Sequence, residues 1–185
     1  MTHKCRYSPL VPPLSKDISA LSVQEAQAYF DWFVQQCPIR SKYIFSLAGH
    51  TDTSFEQIKY SSGSLTDIWK WFRDVAEVSV HKRSGEKRLS IQSEYMIRDI
   101  GMYLGETFVH NFDALHWGFH VKPKNDFFVN APGIVGFADD HFSPPFELFF
   151  EPVHMVSVQA MNLTDGSYAE DDLLNLYNKW SAKIL

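Results

Sequence analysis

Residues 116–122, His-Trp-Gly-Phe-His-Val-Lys, alternate strictly between bulky apolar residues and polar or small ones. This period of two is typical of a β-strand with one buried face and one exposed face. After a turn that begins at Pro123, residues 127–130 (Phe-Phe-Val-Asn) predict a second strand that pairs with the first as an antiparallel hairpin. Residues 134–137 predict a third short strand. The middle of the chain therefore predicts a small antiparallel meander of two to four strands.

A long helical pattern lies near the start of the chain. Ser22 and Glu25 have the spacing of a capping box, in which each side chain accepts a hydrogen bond from the other residue's backbone N–H. Pro38 is expected to end this helix, because proline lacks the N–H and its ring clashes with the preceding turn. A short helical segment is expected after it, through residues 43–47. The buried stripe of the first helix is expected to consist of Val23, Ala26, Phe30, Phe33, Val34 and Cys37.

A second helix is predicted between a Ser-Gly breaker at residues 61–64 and a basic loop at residues 81–88. Ser64 is expected to cap this helix. The loop carries four Lys or Arg residues, which suit either a phosphate-contact patch or a solvated turn beside the helix end. A further interpretation is a hairpin, because alternating apolar residues flank the loop. The buried stripe of the helix is expected to consist of Leu65, Ile68, Trp69, Phe72, Val75 and Ala76.

A third helix is predicted to begin at Ser90 or Ser93 and to run to about Asn111. Gly101 and Gly105 lie one turn apart within it, although each glycine weakens a helix by up to about 1 kcal/mol relative to alanine. Close approach of a neighbouring element explains them best, since glycine has no side chain to hold that element away. The buried side is expected to consist of Met96, Ile100, Tyr103, Leu104, Thr107 and Phe108.

The C-terminal residues predict one or two more helices. Pro152 suits the first turn of a helix within the otherwise ambiguous residues 147–162. Ser167 and Glu170 have the spacing of a second capping box and predict a closing helix. Helices that are segregated from an antiparallel meander predict an α+β fold, with helices first, strands in the middle and a helix at the end. The inward residues of the closing helix are expected to be Leu173, Leu176, Tyr177 and Trp180.

Length and composition indicate one folded domain over residues 1–185. The chain is 45% hydrophobic and 21% charged, close to the averages of globular proteins. Residues 1–20 contain three prolines and are expected to form an extended lead-in. Cys5 and Cys37 are too few for a disulfide framework, and neither a signal-peptide pattern nor a membrane-spanning apolar run is present. We therefore expect a cytoplasmic protein.

The charge is distributed unevenly along the chain. The net charge is −5, but residues 1–98 carry 13 Lys and Arg against 10 acids, whereas residues 99–185 carry 4 against 12. The second part thus has a balance of −8. Such an excess disfavours nucleic acids and attracts basic partners, although it can also serve solubility alone. The candidate contact residues are Asp139, Asp140, Glu147, Glu151, Glu170, Asp171 and Asp172.

Patterns for catalysis and metal binding are sparse. Glu106 and His110 have the i,i+4 spacing that could share a metal ion. Glu151 and His154 have the Glu-x-x-His spacing of di-iron bundles, but the second such motif that this design requires is lacking. A Gly-x-Ser-x-Gly nucleophile elbow and the glycine-rich phosphate loops are also lacking. We therefore predict no catalytic residue, no metal site and no cofactor.

Over about residues 90–160 the chain resembles a class of small uncharacterised bacterial α+β domains of the toxin-immunity type. In that class, a glycine-containing helix is followed by a Trp-bearing strand and a short meander. The resemblance implies an immunity partner of a secreted toxin, and it transfers no catalytic residue. The segments that carry it are residues 101–108 (Gly-Met-Tyr-Leu-Gly-Glu-Thr-Phe), 115–117 (Leu-His-Trp), 128–137 and 145–146.

These observations predict a non-enzymatic cytoplasmic binding protein that occludes a basic protein partner through an acidic surface. Neither a nucleic acid nor a membrane is expected as a partner, and the oligomeric state is left open. The alternative is a hydrolase or metal-dependent enzyme that uses His110, His116 or His120 with nearby acids. His116 and His120 would project from one strand face about 13 Å apart, at 3.3 Å per residue, which is too far for one metal ion.

Overall fold

The structure is a computed structural model that describes residues 7–80, 83–139 and 141–184, with the backbone alone for residues 52–54. These residues form six α-helices, a two-stranded sheet and a three-stranded sheet, which confirms the α+β fold. Within these ranges, no helix combines the length and apolar character needed to cross a bilayer. In chain order the elements are α1 (Val23–Leu47), α2 (Asp52–Ile58), α3 (Ser62–Val75), β1 (Val78–Val80), β2 (Lys87–Leu89), α4 (Ile91–Asn111), β3 (His116–Gly118), β4 (Gly133–Asp139), β5 (Phe146–Phe150), α5 (Pro152–Asp165) and α6 (Asp172–Ser181).

Helix α1 begins as predicted but does not end at Pro38. The Ser22 hydroxyl accepts a hydrogen bond from the Glu25 N–H (3.3 Å) and the Glu25 carboxylate accepts one from the Ser22 N–H (2.8 Å), which confirms the capping box. The helix continues through Pro38, so the expectation of two separate helical segments was wrong. The Pro38 ring faces solvent, whereas Arg40 and Ile44 beyond it are buried. Packing on both sides of the proline therefore outweighs the lost backbone hydrogen bond.

The buried side of α1 is rotated relative to the predicted stripe. Ala26, Phe33 and Cys37 are buried as expected, but Val23 is 63% exposed and Tyr29 is buried in its place. The two remaining members of the predicted stripe, Phe30 and Val34, are only partly buried.

Two helices, rather than one, lie between α1 and the first strand. Helix α2, which begins within the polar stretch at residues 49–54, was not predicted. The cap of α3 is Ser61 rather than Ser64, because the Ser61 hydroxyl accepts a hydrogen bond from the Ser64 N–H (3.2 Å). Four of the six predicted stripe residues are fully buried, namely Leu65, Ile68, Trp69 and Phe72.

Strands β1 and β2 form the hairpin that was one of the three interpretations of the basic loop. Val78 lies opposite Leu89, and Val80 lies opposite Lys87. The residues of β1 are all exposed, as are Lys87 and Arg88 of β2. His81 and Lys82 of the predicted loop lie outside the described residues.

Helix α4 is central and buried along most of its length. Of the two predicted starts, Ser90 is the cap, since its hydroxyl accepts a hydrogen bond from the Ser93 N–H (3.2 Å). A Cβ atom on Gly101 would lie 2.7 Å from the Cα of Val153, and a Cβ atom on Gly105 would overlap the indole ring of Trp117. The two glycines therefore allow α5 and β3 to approach α4 closely, as predicted.

The three-stranded sheet has the order β3-β4-β5, and its pairing differs from the predicted meander. Only the first three residues of 116–122 form a strand, and Trp117 pairs with Ile134 of β4. Residues 127–130 form a turn instead of the predicted strand. Asn130 there has a left-handed φ of +64°, and its N–H donates to the His120 carbonyl (2.8 Å). A reversed backbone at this point prevents a continuous ladder.

The ambiguous residues 147–162 resolve into the end of β5 and most of α5. Strand β5 was not predicted; it pairs with β4, with Phe150 opposite Ile134 and Phe146 opposite Asp139. Pro152 occupies the first turn of α5, as expected.

Helix α6 begins at Asp172, so the predicted capping box at Ser167 and Glu170 was wrong. The Ser167 hydroxyl instead donates to the Asp165 carboxylate (2.6 Å), in the turn that follows Gly166 and the end of α5. Of the inward residues, Leu173 and Leu176 are buried, while Tyr177 and Trp180 pack against the core at its edge.

The lead-in is packed against the helices rather than free. Tyr7 is only 5% exposed and donates a hydrogen bond to Asp99 of α4 (2.6 Å). Leu10, Leu14 and Ile18 contact a small apolar cluster formed by α1 and α4. The main core lies between α3, α4, the three-stranded sheet and α6, and it is rich in aromatic rings.

Candidate functional site

The described acids of the predicted contact surface do not lie together. Asp139 and Glu147 flank the turn between β4 and β5. The carbonyl of Lys183, just after α6, accepts a hydrogen bond from the Ala138 N–H (2.9 Å), so the end of α6 lies beside β4. The ten residues of α6 span about 15 Å at 1.5 Å per residue. The opposite end of α6 carries the second group of acids, which comprises Glu170, Asp171 and Asp172.

Glu151 is not a surface residue, which corrects its place in the predicted acidic surface. It is 9% exposed, and its carboxylate caps α5 by accepting hydrogen bonds from the N–H groups of Val153 (3.3 Å) and His154. Burial raises the pKa of Glu151 to about 7. The carboxylate caps the start of α5 and is too buried to contact the surface of a protein partner. Asp140, another predicted contact residue, lies outside the described residues.

The acids at the start of α6 have a helix-stabilising role. Asp172 accepts a hydrogen bond from the Ala169 N–H (2.8 Å). Negative side chains at a helix N-terminus also interact favourably with the helix dipole. Their positions are therefore explained without a partner.

The β4–β5 tip, which comprises residues 139 and 141–147, combines exposed aromatic rings with acids. Phe142 and Phe146 are 59% and 63% exposed, and their ring centroids lie 6.2 Å apart. Asp139 lies directly opposite Phe146, so these two side chains share one face of the hairpin. Glu147 is exposed on the other face. Leaving a phenylalanine in water forgoes about 1.5–3 kcal/mol of burial, so a pair of exposed rings points to a binding surface.

Asp139 gives the tip a fixed negative charge. Hydrogen bonds from the His141 ring (2.7 Å) and the His141 backbone N–H (3.1 Å) hold the pKa of Asp139 below its ordinary value. The nearby charge of Lys183 acts in the same direction. The carboxylate is therefore ionised at neutral pH.

The histidines of the alternative enzyme hypothesis have separate neighbours. The His110 ring packs on Tyr60 (centroids 5.1 Å apart), and His120 Nε2 lies 3.2 Å from Asp126. His116 is exposed at the start of β3. Across the described ranges, no group of three or more His, Cys, Asp and Glu residues is placed to hold a metal ion.

Glu106, considered above only as a metal ligand, instead lies in a half-buried polar contact with β3. The indole Nε1 of Trp117 donates a hydrogen bond to Glu106 Oε1 (2.8 Å). Burial raises the pKa of Glu106 above its ordinary value. The contact links α4 to β3 and needs no metal to explain it.

The aromatic residues of the tip were missed at the level of sequence. Phe142 and Phe146 flank Ser143-Pro144-Pro145, and prolines cannot donate to a strand ladder. Two aromatic residues held in a proline-rich turn were therefore the available signal, because such a turn leaves its neighbours at the surface.

Comparisons with known proteins add no family to these observations. No protein-family model matches the chain, and neither the curated proteins nor the solved structures contain a significant match. Function is therefore inferred from the geometry and charge of the described residues.

Proposed function

We propose that this protein is a non-enzymatic, cytoplasmic binding protein that occludes a basic protein partner, with the β4–β5 tip as its central contact. The observation that carries the proposal is the exposure of Phe142 and Phe146 beside Asp139, with Glu147 exposed on the other face of the same hairpin. Aromatic residues at the centre of a contact, with polar or charged residues around them, are typical of protein–protein interfaces.

The two phenylalanines favour a partner surface that is both apolar and cationic. Burial of each ring stabilises a complex by about 1.5–3 kcal/mol. The face of a phenylalanine ring also attracts a lysine or arginine side chain, by about 0.5–1 kcal/mol when exposed and about 2 kcal/mol when water is excluded. A partner with lysine or arginine around an apolar patch therefore fits the tip.

The charge of the C-terminal part supports a basic partner rather than a nucleic acid. Residues 99–185 have a balance of −8, and Asp139 is held ionised by its neighbours. A negative surface accelerates encounter with a positive partner and repels phosphate groups.

Occlusion of a partner requires a contact surface of sufficient area and complementary charge, but no catalysed reaction. The resemblance to toxin-immunity domains supports a basic toxin domain as the partner. A standard interface buries about 800 Å² on each partner. Helix α6 is about 15 Å long and ends beside β4, so an interface of this size that covers the tip could extend along α6 towards the acids at its start.

Capture of a partner tests the aromatic contact. Immobilised wild-type protein, a Phe142→Ala/Phe146→Ala variant and a Met161→Ala control are exposed to lysate of the source cells, and captured proteins are identified and purified. Met161 is 60% exposed on α5 and matches the tip residues in exposure. We expect a basic protein whose Kd rises about 30-fold or more in the double variant and not in the control. An acidic partner, equal binding by all three proteins, or no wild-type-specific capture contradicts the proposal.

The acids of the tip are tested by kinetics with the same purified partner. In Asp139→Asn/Glu147→Gln, we expect a slower association rate and a weaker dependence of that rate on salt. Asp74→Asn, which changes an exposed acid of α3, is the control. An association rate that is unchanged at low salt would remove the electrostatic part of the proposal.

A further inference from the structure

A cavity of about 390 Å³ lies between the lead-in, α1, α4, the turn at residues 127–132 and the start of α5. Its volume falls in the range of about 300–1,000 Å³ that is usual for small-molecule sites. Most of its walls are apolar, and these include Leu14, Ile18, Phe33, Phe128, Pro132 and Val153.

Polar side chains of opposite charge line the same cavity. Arg98 and Glu151 both contribute to it, and Tyr29 lies close enough to sense both charges. The pKa of Tyr29 is raised to about 12, chiefly by burial, while Arg98 opposes this shift and Glu151 adds to it. Glu94 supplies a further carboxylate at the exposed edge. A guanidinium group and a buried carboxyl group therefore flank one phenol inside a largely apolar space.

Arg98 and Tyr29 present hydrogen-bond donors that the described protein does not use. Arg98 Nη2 donates to the Leu10 carbonyl, and Arg98 Nη1 makes no hydrogen bond to the described residues. Tyr29 likewise makes no side-chain hydrogen bond within those residues. Both donors suit the carboxylate of a ligand.

Glu151 presents the complementary acceptor. Its two oxygens cap α5, yet a carboxylate has about four lone-pair sites and can accept further hydrogen bonds. An ammonium group is the donor that would also favour the ionised form of this carboxyl group, because a nearby positive charge lowers the pKa of a carboxyl group.

We propose that this cavity binds a free α-amino acid with an apolar side chain, which places its carboxylate at Arg98 and Tyr29 and its ammonium group at Glu151. Its side chain packs among the apolar walls. A simple acid would pair only with Arg98 and a simple amine would pair only with Glu151, so each would leave the other group of the cavity without a charged partner. The site involves none of the tip residues and is independent of the protein-binding proposal.

Calorimetric titration with matched probes tests the charge pattern. L-phenylalanine and L-leucine carry both charges, whereas 3-phenylpropanoate and 2-phenylethylamine each carry one. We expect at least one of the two amino acids to bind about tenfold or more tightly than either single-charge compound. Failure of both amino acids to bind, or equal binding by a single-charge compound, overturns the proposal.

Variants of the cavity test the assigned contacts. Arg98→Met and Tyr29→Phe should each weaken binding of the amino acid, by about tenfold or more and about threefold or more respectively. Arg73→Met is the matched control: both arginines have a buried Nε without a hydrogen-bond partner among the described residues, and both lie over a tyrosine ring (Arg73 5.4 Å from Tyr168, Arg98 5.1 Å from Tyr95). Circular dichroism verifies folding, and Tyr29→Phe keeps the test decisive if Arg98→Met unfolds. Unchanged affinity in the folded variants overturns the assignment.

Discussion

Arg40 of α1 and Asp99 of α4 form a buried ion pair, with Arg40 Nε 3.0 Å from Asp99 Oδ1 and the Asp99 side chain inaccessible to solvent. Tyr7 of the lead-in donates to the same carboxylate (2.6 Å), and the Arg40 guanidinium lies over the Tyr43 ring (4.4 Å). Three parts of the chain that are far apart in sequence therefore meet at one carboxylate.

Removal of the Arg40 charge should destabilise the protein strongly. Arg40→Met leaves Asp99 buried without its cation, which costs about 3–5 kcal/mol. Urea denaturation followed by circular dichroism measures this loss. Arg88→Met is the control, because Arg88 pairs with Glu86 on the exposed hairpin, and such surface pairs contribute about 0–1 kcal/mol. Equal losses in the two variants would contradict the role of the buried pair.

Gly105→Ala should be far more harmful than an alanine at another helical glycine. The new Cβ atom would overlap the Trp117 indole, and displacement of that ring would break its hydrogen bond to Glu106. We expect a loss of about 2 kcal/mol or more and a change in tryptophan fluorescence. At Gly63 of α3 a Cβ atom has room, so Gly63→Ala should be neutral or stabilising by up to about 1 kcal/mol. A neutral Gly105→Ala would contradict the close approach.

Pro38→Ala should stabilise the protein. The proline lies inside α1 with its ring exposed, so alanine restores a backbone donor without disturbing the core. We expect a gain of about 1–3 kcal/mol in the free energy of unfolding, measured by urea denaturation. Pro13→Ala in the lead-in should give no gain, because the unfolded chain also becomes more flexible. A loss of stability in Pro38→Ala would show that the proline is needed where it stands.

Glu151 should make stability fall as the pH rises. Its folded pKa of about 7 lies above the ordinary value of 4.5, so the native state binds the proton more tightly between these two values. Wild-type stability relative to Glu151→Gln should therefore decrease by about 3 kcal/mol from pH 4.5 to pH 8. Urea denaturation at several pH values measures this difference.

Asp165→Asn is the control of opposite sign for that experiment. Hydrogen bonds from Ser167 lower the pKa of Asp165, so its contribution to stability is lost as the pH falls. A difference between wild type and Glu151→Gln that does not vary with pH would contradict the raised pKa of Glu151.

Local signals predicted elements well where the local preference and the core agreed. The Ser22–Glu25 capping box, the apolar stripe of α3 and the two glycines of α4 are examples. These features depend on residues three or four positions apart, which a linear sequence displays directly.

Predictions failed where distant contacts opposed the local preference. Pro38 favoured a helix end, but buried residues on both sides carried α1 through it. Residues 127–130 have the composition of a strand, but β3 pairs with β4 instead, and residues 127–130 form a turn. Strand pairing depends on which partner is available in space, and local composition does not specify that partner.

The candidate sites also combine features that the sequence shows directly with features that depend on distant contacts. Composition alone revealed the acidic excess of the C-terminal part, because charge is a sum over residues and does not depend on their arrangement. Only the tertiary structure decided that Glu151 is buried, that the remaining described acids form two separate groups, and that Phe142 and Phe146 stand exposed beside one of them. The burial of a side chain and its neighbours in space depend on contacts between segments that are distant in sequence. Acids of the same residue type can therefore differ in exposure and in pKa once the chain folds.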